Sequence, residues 1–549
     1  MTKFFMSVAL ALTLSATQLV ANTLGNPLRD VITTSAQDCR LGSTWNMPII
    51  AWGADGVTLE AVESGAMAQA GVNLSLSVED NFTNQINAYL RCESPFLRGT
   101  LGMLTAAGDV TQADRRTEQV VFYMHSWSLG DGVVGGEGIR TLSDLSGKRI
   151  AIQAYGPHLD FLGRILTDAG LSLQDVDLVW TTDLTGEGDT PSNAMIEGRA
   201  DAAMVILPDA RVLTSDGVGT GAEGSVRGAR TIFSTLEASS VVGDYISVRR
   251  DVFEQNPEQI EAIVRTLFET EEVVREQMAI NGSELQNRLS ARIADELLDG
   301  LPAEEGLFLW QDMISMGWFG NARHFADDNE ARRFDNLILE INAVLRDANL
   351  IAQPHTLATA QWDYAALAET LTNVSERQIA AFDSTAAAAA VDTLRRTGEL
   401  DANTQIRFSV YFDPAERTFP VSLYERDFDE IVRLASTYSG AIIVVEGHTD
   451  PLEYMRAEQN GVASSELRQL RAVAHNLSVD RANALMESLT EHAQERGQRL
   501  TEGQFTVEGV GITNPRFAPP TTEAEWKQNM RVEIRVLRVE AETTTFNPL

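Results

Sequence analysis

Two short stretches near the end of the chain carry the groups best suited to hold a ligand. Ala441-Ile-Ile-Val-Val-Glu-Gly-His-Thr-Asp450 is an apolar, β-branched run that reads as a buried strand. It breaks at Gly447 and delivers His448, Thr449 and Asp450 to the strand's carboxyl end. Leu477-Ser-Val-Asp-Arg-Ala482 reads as the opening of a helix, with Ser478 as N-cap and residues 479–489 as the helical run. A strand-end carboxylate and a helix-borne guanidinium can each bind charge; without a partner they are a solvated acid and a surface cation. The chain has no phosphate-binding Gly-Lys-Ser/Thr loop, no His-Glu-x-x-His and no Gly-x-Ser-x-Gly. The chemistry to look for is therefore recognition, not bond making.

Three further stretches frame these two. Phe408-Ser-Val-Tyr-Phe412 reads as a first strand, Val507-Glu-Gly-Val-Gly-Ile-Thr-Asn-Pro515 as a strand and turn, and Asn529-Met-Arg-Val-Glu-Ile-Arg-Val536 as an alternating closing strand. In this order the motifs resemble an OmpA-like peptidoglycan-binding domain, with a βαβαβ-type core, over about residues 406–539. The resemblance implies that Asp450 and Arg481, with Thr449 and Arg531 beside them, grip the diaminopimelate of a wall stem peptide. That ligand is a zwitterion. A carboxylate takes its ammonium, a guanidinium forks its carboxylate, and a helix start favours the same anion. Two departures stand out: the span from Asp450 to Arg481 is long for the family, and Met530 occupies a place where a second arginine is common. The extra residues 451–474 are polar and read as a surface excursion over the pocket.

The elements before this domain alternate between strand and helix. Residues 45–52, 72–78, 100–104 and 119–124 read as strands, and 59–70 and 83–91 as helices, which calls for a parallel sheet with helices on both faces. A second lobe, about 141–245, runs through a Gly147 turn, strands ending at Gln153, Trp180 and Ile206, and helices stopped by Gly170 and Gly198. The Gly-rich residues 130–138 read as a surface loop near a hinge. Residues 244–248 then suit a return strand, followed by an amphipathic helix from about 257 to 277 whose face is Ile260, Ile263, Val264, Leu267 and Phe268. Asp-Leu-x-Gly-Lys, Ala-Gly-Leu and Gly-x-Ala-Asp-Ala-Ala, in that order over 141–210, resemble a type II periplasmic solute-binding protein of the nitrate/taurine-type ABC-transporter family. The expected fold class is therefore α/β: a two-lobed periplasmic-binding-protein-like unit at 24–372, a helical linker at 373–403, and a C-terminal α/β OmpA-like domain at 404–542.

Such a fold implies a small ligand between lobes that close on a hinge. Candidate contacts at strand ends and helix starts are Trp52, Trp127, Tyr155, His158, Asp183 and Asp209. The helix start at 156–158 could hold an anion. The competing readings are plainer: a tryptophan after a strand packs a core, and Asp183 caps its own loop.

Composition sets the address. The chain has 549 residues, room for about three or four domains. Its 78 acids and 43 bases leave −35, a poor partner for nucleic acid. Residues 1–21 read as a secretory signal peptide with Lys3, an apolar run over 4–14 and cleavage after Ala21 or Ala16. Cys39 and Cys92 suggest a disulfide in an oxidising compartment, or two buried thiols; no metal-ligand spacing accompanies them. Together these features lead us to expect a wall-associated receptor in a Gram-negative periplasm. Its expected partners are a small and in one reading anionic ligand, an inner-membrane ABC permease and peptidoglycan, with no cofactor or metal and no enzymatic activity. The alternative is a binding-protein fold without a ligand, acting as an envelope spacer.

Overall fold

The computed structural model describes residues 25–374 except 187, 216, 223, 239, 299, 329 and 331, and then 391, 393–396, 404–437, 441–496, 498, 500 and 502–538. The expected signal peptide and the alanine run 386–390 lie outside the described residues. The chain divides into two compact units, one made of residues 1–327 and 333–377, the other of 328–332 and 378–549.

The first unit has two sheets of five strands and a separate parallel pair, β1 (Trp45–Ile49) with β2 (Leu74–Val78). β3 (Phe96–Thr100) and β4 (Gln119–Ser128) lead to the crossing into the second lobe. There β5 (Asp131–Gly135), β6 (Arg149–Gln153), β7 (Asp177–Thr181), β8 (Ala202–Ile206) and β9 (Arg230–Ser234) form a sheet in the order β7-β6-β8-β5-β9. β10 (Gly243–Arg249) returns to the first lobe and lies between β4 and β3, with β11 (Met313–Ser315) and β12 (Ala358–Thr359) on β4. The helix Pro257–Met278 buries Ile260, Ile263, Val264, Leu267 and Phe268 in the first lobe's core, as their spacing predicts.

Three local expectations are corrected. The first lobe's main sheet is mostly antiparallel, because β10 arrives from the other lobe running against both β3 and β4; alternation in sequence reports a strand but not its direction. Residues 101–104 are helical. β3 ends at Thr100, whose hydroxyl accepts from the Met103 amide at 3.4 Å to start the helix Leu101–Thr111. That helix is buried almost all round, so its apolar run imitates a strand. The Gly-rich stretch is not a surface loop: residues 131–135 are β5, every one of them buried.

Cys39 and Cys92 are bonded, with Cα atoms 5.1 Å apart. The bridge ties the N-terminal segment to the end of the helix Phe82–Leu90, where the Gln37 amide also donates to the Leu90 carbonyl. Closing a loop over 53 residues restricts the unfolded chain by an amount worth about 4 kcal/mol in the loop-entropy picture.

In the second unit β13 (Thr404–Tyr411), β14 (Ala441–His448), β15 (Phe505–Gly511) and β16 (Arg531–Arg538) form one sheet in the order β13-β16-β14-β15. The helices Glu425–Thr437 and Ser464–Glu495 accompany it. Here the sequence reading changes in four places. Gly447 does not break the strand; it lies inside β14. A β-carbon there would sit 1.9 Å from the Ser478 carbonyl oxygen, so glycine lets the long helix rest on the strand. Ser478 is not an N-cap: the helix begins at Ser464, and the Ser478 hydroxyl donates to the His475 carbonyl and accepts from the Gly511 amide. Residues 451–474 are not an irregular excursion but a short helix, Leu452–Gln459, and the first part of the long one. Finally, residues 391 and 393–396 of the expected linker belong to this unit, while 373 and 374 stay with the first: Val391 packs with Ile442, Val444 and Leu537, and Arg395 pairs with Glu446 and Glu508.

Candidate functional site

The two crossings between lobes, β4 to β5 and β9 to β10, bring strand ends and helix starts together. Asp131 opens β5, and its carboxylate lies 2.7 Å from Nε2 of His158, the residue before the helix Leu159–Asp168. His158 is fully buried, and its Nδ1 has no hydrogen-bond partner among the described residues. Asp160, in the first turn of the same helix, reaches the other lobe: a β-carbon on Gly102 would lie 2.8 Å from its Oδ1. Glycine at the second position of the helix Leu101–Thr111 thus admits a carboxylate from the opposite lobe. Burial pushes Asp160 up to about 7, with Asp131 adding to the rise and His158 opposing it.

Asp312 and Trp52 close the first-lobe side. The indole of Trp52 and the Asp312 side chain both press on Gly130, and the Trp52 Nε1 donates to the Ser126 hydroxyl at 3.2 Å. Burial pushes Asp312 up to about 6; Arg211 lowers it and Asp131 raises it. Asp209 accepts from the Ser192 hydroxyl at 3.3 Å and is raised by burial, with His158 opposing. Deeper in the first lobe, the wholly buried Arg98 bridges Asp55 and Asp244, and Asp244 feels the charge of Asp131. Burial is the largest influence on Arg98, yet its two carboxylates outweigh it and hold the guanidinium firmly charged.

Trp52 therefore sits with Asp312 at Gly130, while His158 and Asp209 share one neighbourhood with Asp131 and Asp160. Tyr155 stands at its margin, with φ +58° and its hydroxyl donating to the Asn26 carbonyl at 2.8 Å. A bulky residue in that left-handed region is a local strain of about 1–3 kcal/mol, of the kind that collects at functional sites. Trp127 is elsewhere: it packs edge-on to His324 and beside Gly243, in the core behind the crossing. Asp183 is exposed and accepts from the neighbouring Thr182 hydroxyl, closing its own loop. Asp131, Asp160 and Asp312 were missed by the sequence reading. Only Asp131 left a signal, as the acid that opens a Val-Val strand inside the Gly-rich run.

The second unit is best described by itself. Asp450 follows β14; one carboxylate oxygen accepts from the Leu452 amide and the other from the Asn529 side chain at 2.8 Å. Thr449 is buried, its amide donating to the Gly511 carbonyl. Arg481 lies in the middle of the long helix, fully buried. Its guanidinium donates to the carbonyls of Asp413, Glu416 and His448 and rests over the Phe412 ring, 5.0 Å from the centroid. Burial lowers it to about 10, so it stays charged at neutral pH. Arg531 is buried beside Glu533, with Nε 2.7 Å from the carboxylate, and its Nη1 has no partner. The acid and the arginine of the sequence motif thus both sit near the end of β14. Asp450 is held by helix-start and amide donors, and Arg481 by a loop.

Glu446, His448 and Glu533 also offer ligand atoms within 4.8 Å of one another. Arg535 pairs with both glutamates, Arg531 with Glu533 and Arg395 with Glu446, a setting of guanidinium charge that opposes a metal ion.

Residues 130–274 match the family model described as NMT1/THI5 like. The matched stretch starts at the first crossing and ends within the helix Pro257–Met278. No curated protein matches the chain. Solved structures that it is similar to include the alkanesulfonate-binding protein of Xanthomonas axonopodis pv. citri bound to MOPS, at 15% identity over 59% of this chain and 100% of that one, with a TM-score of 0.41. The periplasmic aliphatic sulphonate binding protein of Escherichia coli is similar at 16% identity over 57% and 95%, TM-score 0.41. A desulfurization enzyme, DSZB, is similar at 17% over 57% and 94%, TM-score 0.36. No helix among the described residues is long and apolar enough to cross a membrane.

Proposed function

We propose that the chain is a solute receptor of the Gram-negative periplasm, exported by its N-terminal signal. In this reading the first unit closes on a small molecule between its lobes, without catalysing a reaction, and serves an ABC-type permease. One arrangement carries the reading. Two crossings join the lobes; His158, Asp131, Asp160 and Asp209 lie beside them within the stretch that matches the NMT1/THI5-like model, and Trp52 and Asp312 of the first lobe meet them at Gly130. Hinged lobes with convergent polar groups are a general solution for enclosing small ligands. Mass spectrometry of the full chain, purified gently and sprayed natively, should show a small molecule that denaturation releases.

The second unit in this reading holds the receptor to peptidoglycan, with Asp450 taking the ammonium of a diaminopimelate-type residue. Arg481 takes its carboxylate once the loop of Asp413 and Glu416 yields. Asp450→Ala should weaken sedimentation with purified sacculi by at least about 30-fold in affinity, the loss expected when a desolvated charge pair is broken. Full sedimentation of the variant at limiting wall concentration would remove Asp450 from the site.

A second reading is supported by one contact. Asp160 already fills the start of the opposite lobe's helix, as it would in an envelope spacer whose lobes stay shut without a ligand. Absence of any released molecule, together with no thermal stabilisation by added solutes, favours that spacer.

A further inference from the structure

Among the described residues, the acids around the interlobe site outnumber the bases set against them, the buried base being His158. Asp131, Asp160, Asp209 and Asp312 act on one another or on His158, whereas Arg211, which acts on Asp312, is exposed. The places where an anion would dock are already occupied by the chain. The helix that follows His158 carries Asp160 in its own first turn, and the same carboxylate lies against Gly102 in the first turn of the facing helix. A second anion brought to either helix start would meet a carboxylate instead of bare amides. Arg98 offers no free guanidinium either, since Asp55 and Asp244 flank it.

An independent feature points to a guest. His158 is fully buried; its Nε2 is engaged by Asp131 at 2.7 Å, while its Nδ1 is buried with no partner among the described residues. Asp160 and Asp209 both lie within its electrostatic reach, so the ring stands among the acids. A buried polar nitrogen in that position is completed by a ligand atom that donates to it or accepts from it. On the first-lobe side, the ring edge of Trp52 and the Asp312 side chain meet at Gly130 and set an apolar wall beside that acid.

We propose that the interlobe site takes a small organic cation, an ammonium or amidinium group held among Asp131, Asp160, Asp209 and Asp312 with its apolar flank against Trp52. This rests on the receptor reading of the first unit and reverses the sign of charge that the sequence resemblance suggests.

The test uses the full chain and five probes: choline, putrescine and benzamidine as cations, taurine and nitrate as anions. Thermal unfolding and calorimetric titration should show concentration-dependent stabilisation by at least one cation and by neither anion. Asp312→Asn and Asp209→Asn, both at partly exposed positions, should weaken that cation about 10- to 100-fold, while the unliganded unfolding midpoint does not fall below that of the parent. Stabilisation by taurine or nitrate with none from the cations overturns the charge assignment and leaves the receptor reading standing. Cation binding that both asparagine variants retain in full overturns the assigned residues. No response to any probe, with no molecule released from the native protein, overturns this inference and the receptor reading together.

Discussion

Burial moves titrating groups in both units far enough to shape the pH response of each. Asp160 is pushed up to about 7 and Asp312 up to about 6, while burial lowers His448 to about 4. An aspartate held above its unfolded value of about 3.9 keeps its proton to higher pH in the native state than in the unfolded chain, and is ionised above its folded value. Its contribution to stability is complete below about pH 4 and is lost as pH rises through its folded value near 7. His448 behaves in the opposite sense: its contribution is present above about pH 6.5 and is lost as pH falls through 4. Asp160→Asn should therefore flatten the first unit's loss of stability between about pH 4 and 7, and at pH 8 gain on the order of 1–4 kcal/mol relative to the parent. Denaturant midpoints measured across that range check it; an unchanged slope refutes the assignment. Arg481 makes a different prediction. Its three carbonyl partners each lose a charged donor in Arg481→Ala, which should destabilise the second unit by about 2–4 kcal/mol. Arg481→Lys should not restore it, since one ammonium cannot reproduce the planar fork. An unshifted denaturation midpoint would put the guanidinium back at the surface, where its spacing in sequence had placed it. That residue type and approximate place were legible, but its burial was not, because the loop over it comes from residues 413–416. His158 was likewise legible as a helix-start residue, while its partner Asp131 was hidden 27 residues earlier in a run that looks like a flexible turn.

The helices and strands show why boundaries failed where they did. None of residues 464–476 is buried, so no apolar stripe announces the first part of the long helix. Ser478 in its middle offers the same letters as an N-cap, since a serine hydroxyl can return to the carbonyl three residues back. The helix Pro257–Met278 was legible because its apolar spacing meets a single core. The contact between helix and sheet at Gly447 gives an element-scale prediction. Gly447→Ala forces a β-carbon into the Ser478 carbonyl, 1.9 Å away, and no flexible side chain can yield there. Lifting the helix from β14 should cost the second unit about 3 kcal/mol or more, in the range of severe backbone and packing conflicts. Chemical denaturation followed in that unit's transition would show it. A variant as stable as the parent would mean the helix can slide along the strand.

For the molecule as a whole, alternation of strand and helix made the α/β character legible, whereas the direction of β10 was not, since pairing is a long-range choice. That choice has a consequence for how the chain is made. The second-lobe strands lie in one continuous stretch, β5 to β9, and can pair as soon as that stretch is complete. The first lobe cannot: β10 must return to lie between β3 and β4, and β12 must reach Val120 and Val121 from residues 358 and 359. Until then the growing chain carries a bare edge along β3 and β4, a template for pairing with a neighbour. Arg98 meanwhile has Asp55 for a counter-charge but lacks Asp244. A chain truncated before β10 would therefore be no smaller receptor, but an aggregation-prone fragment with a half-neutralised arginine at its centre.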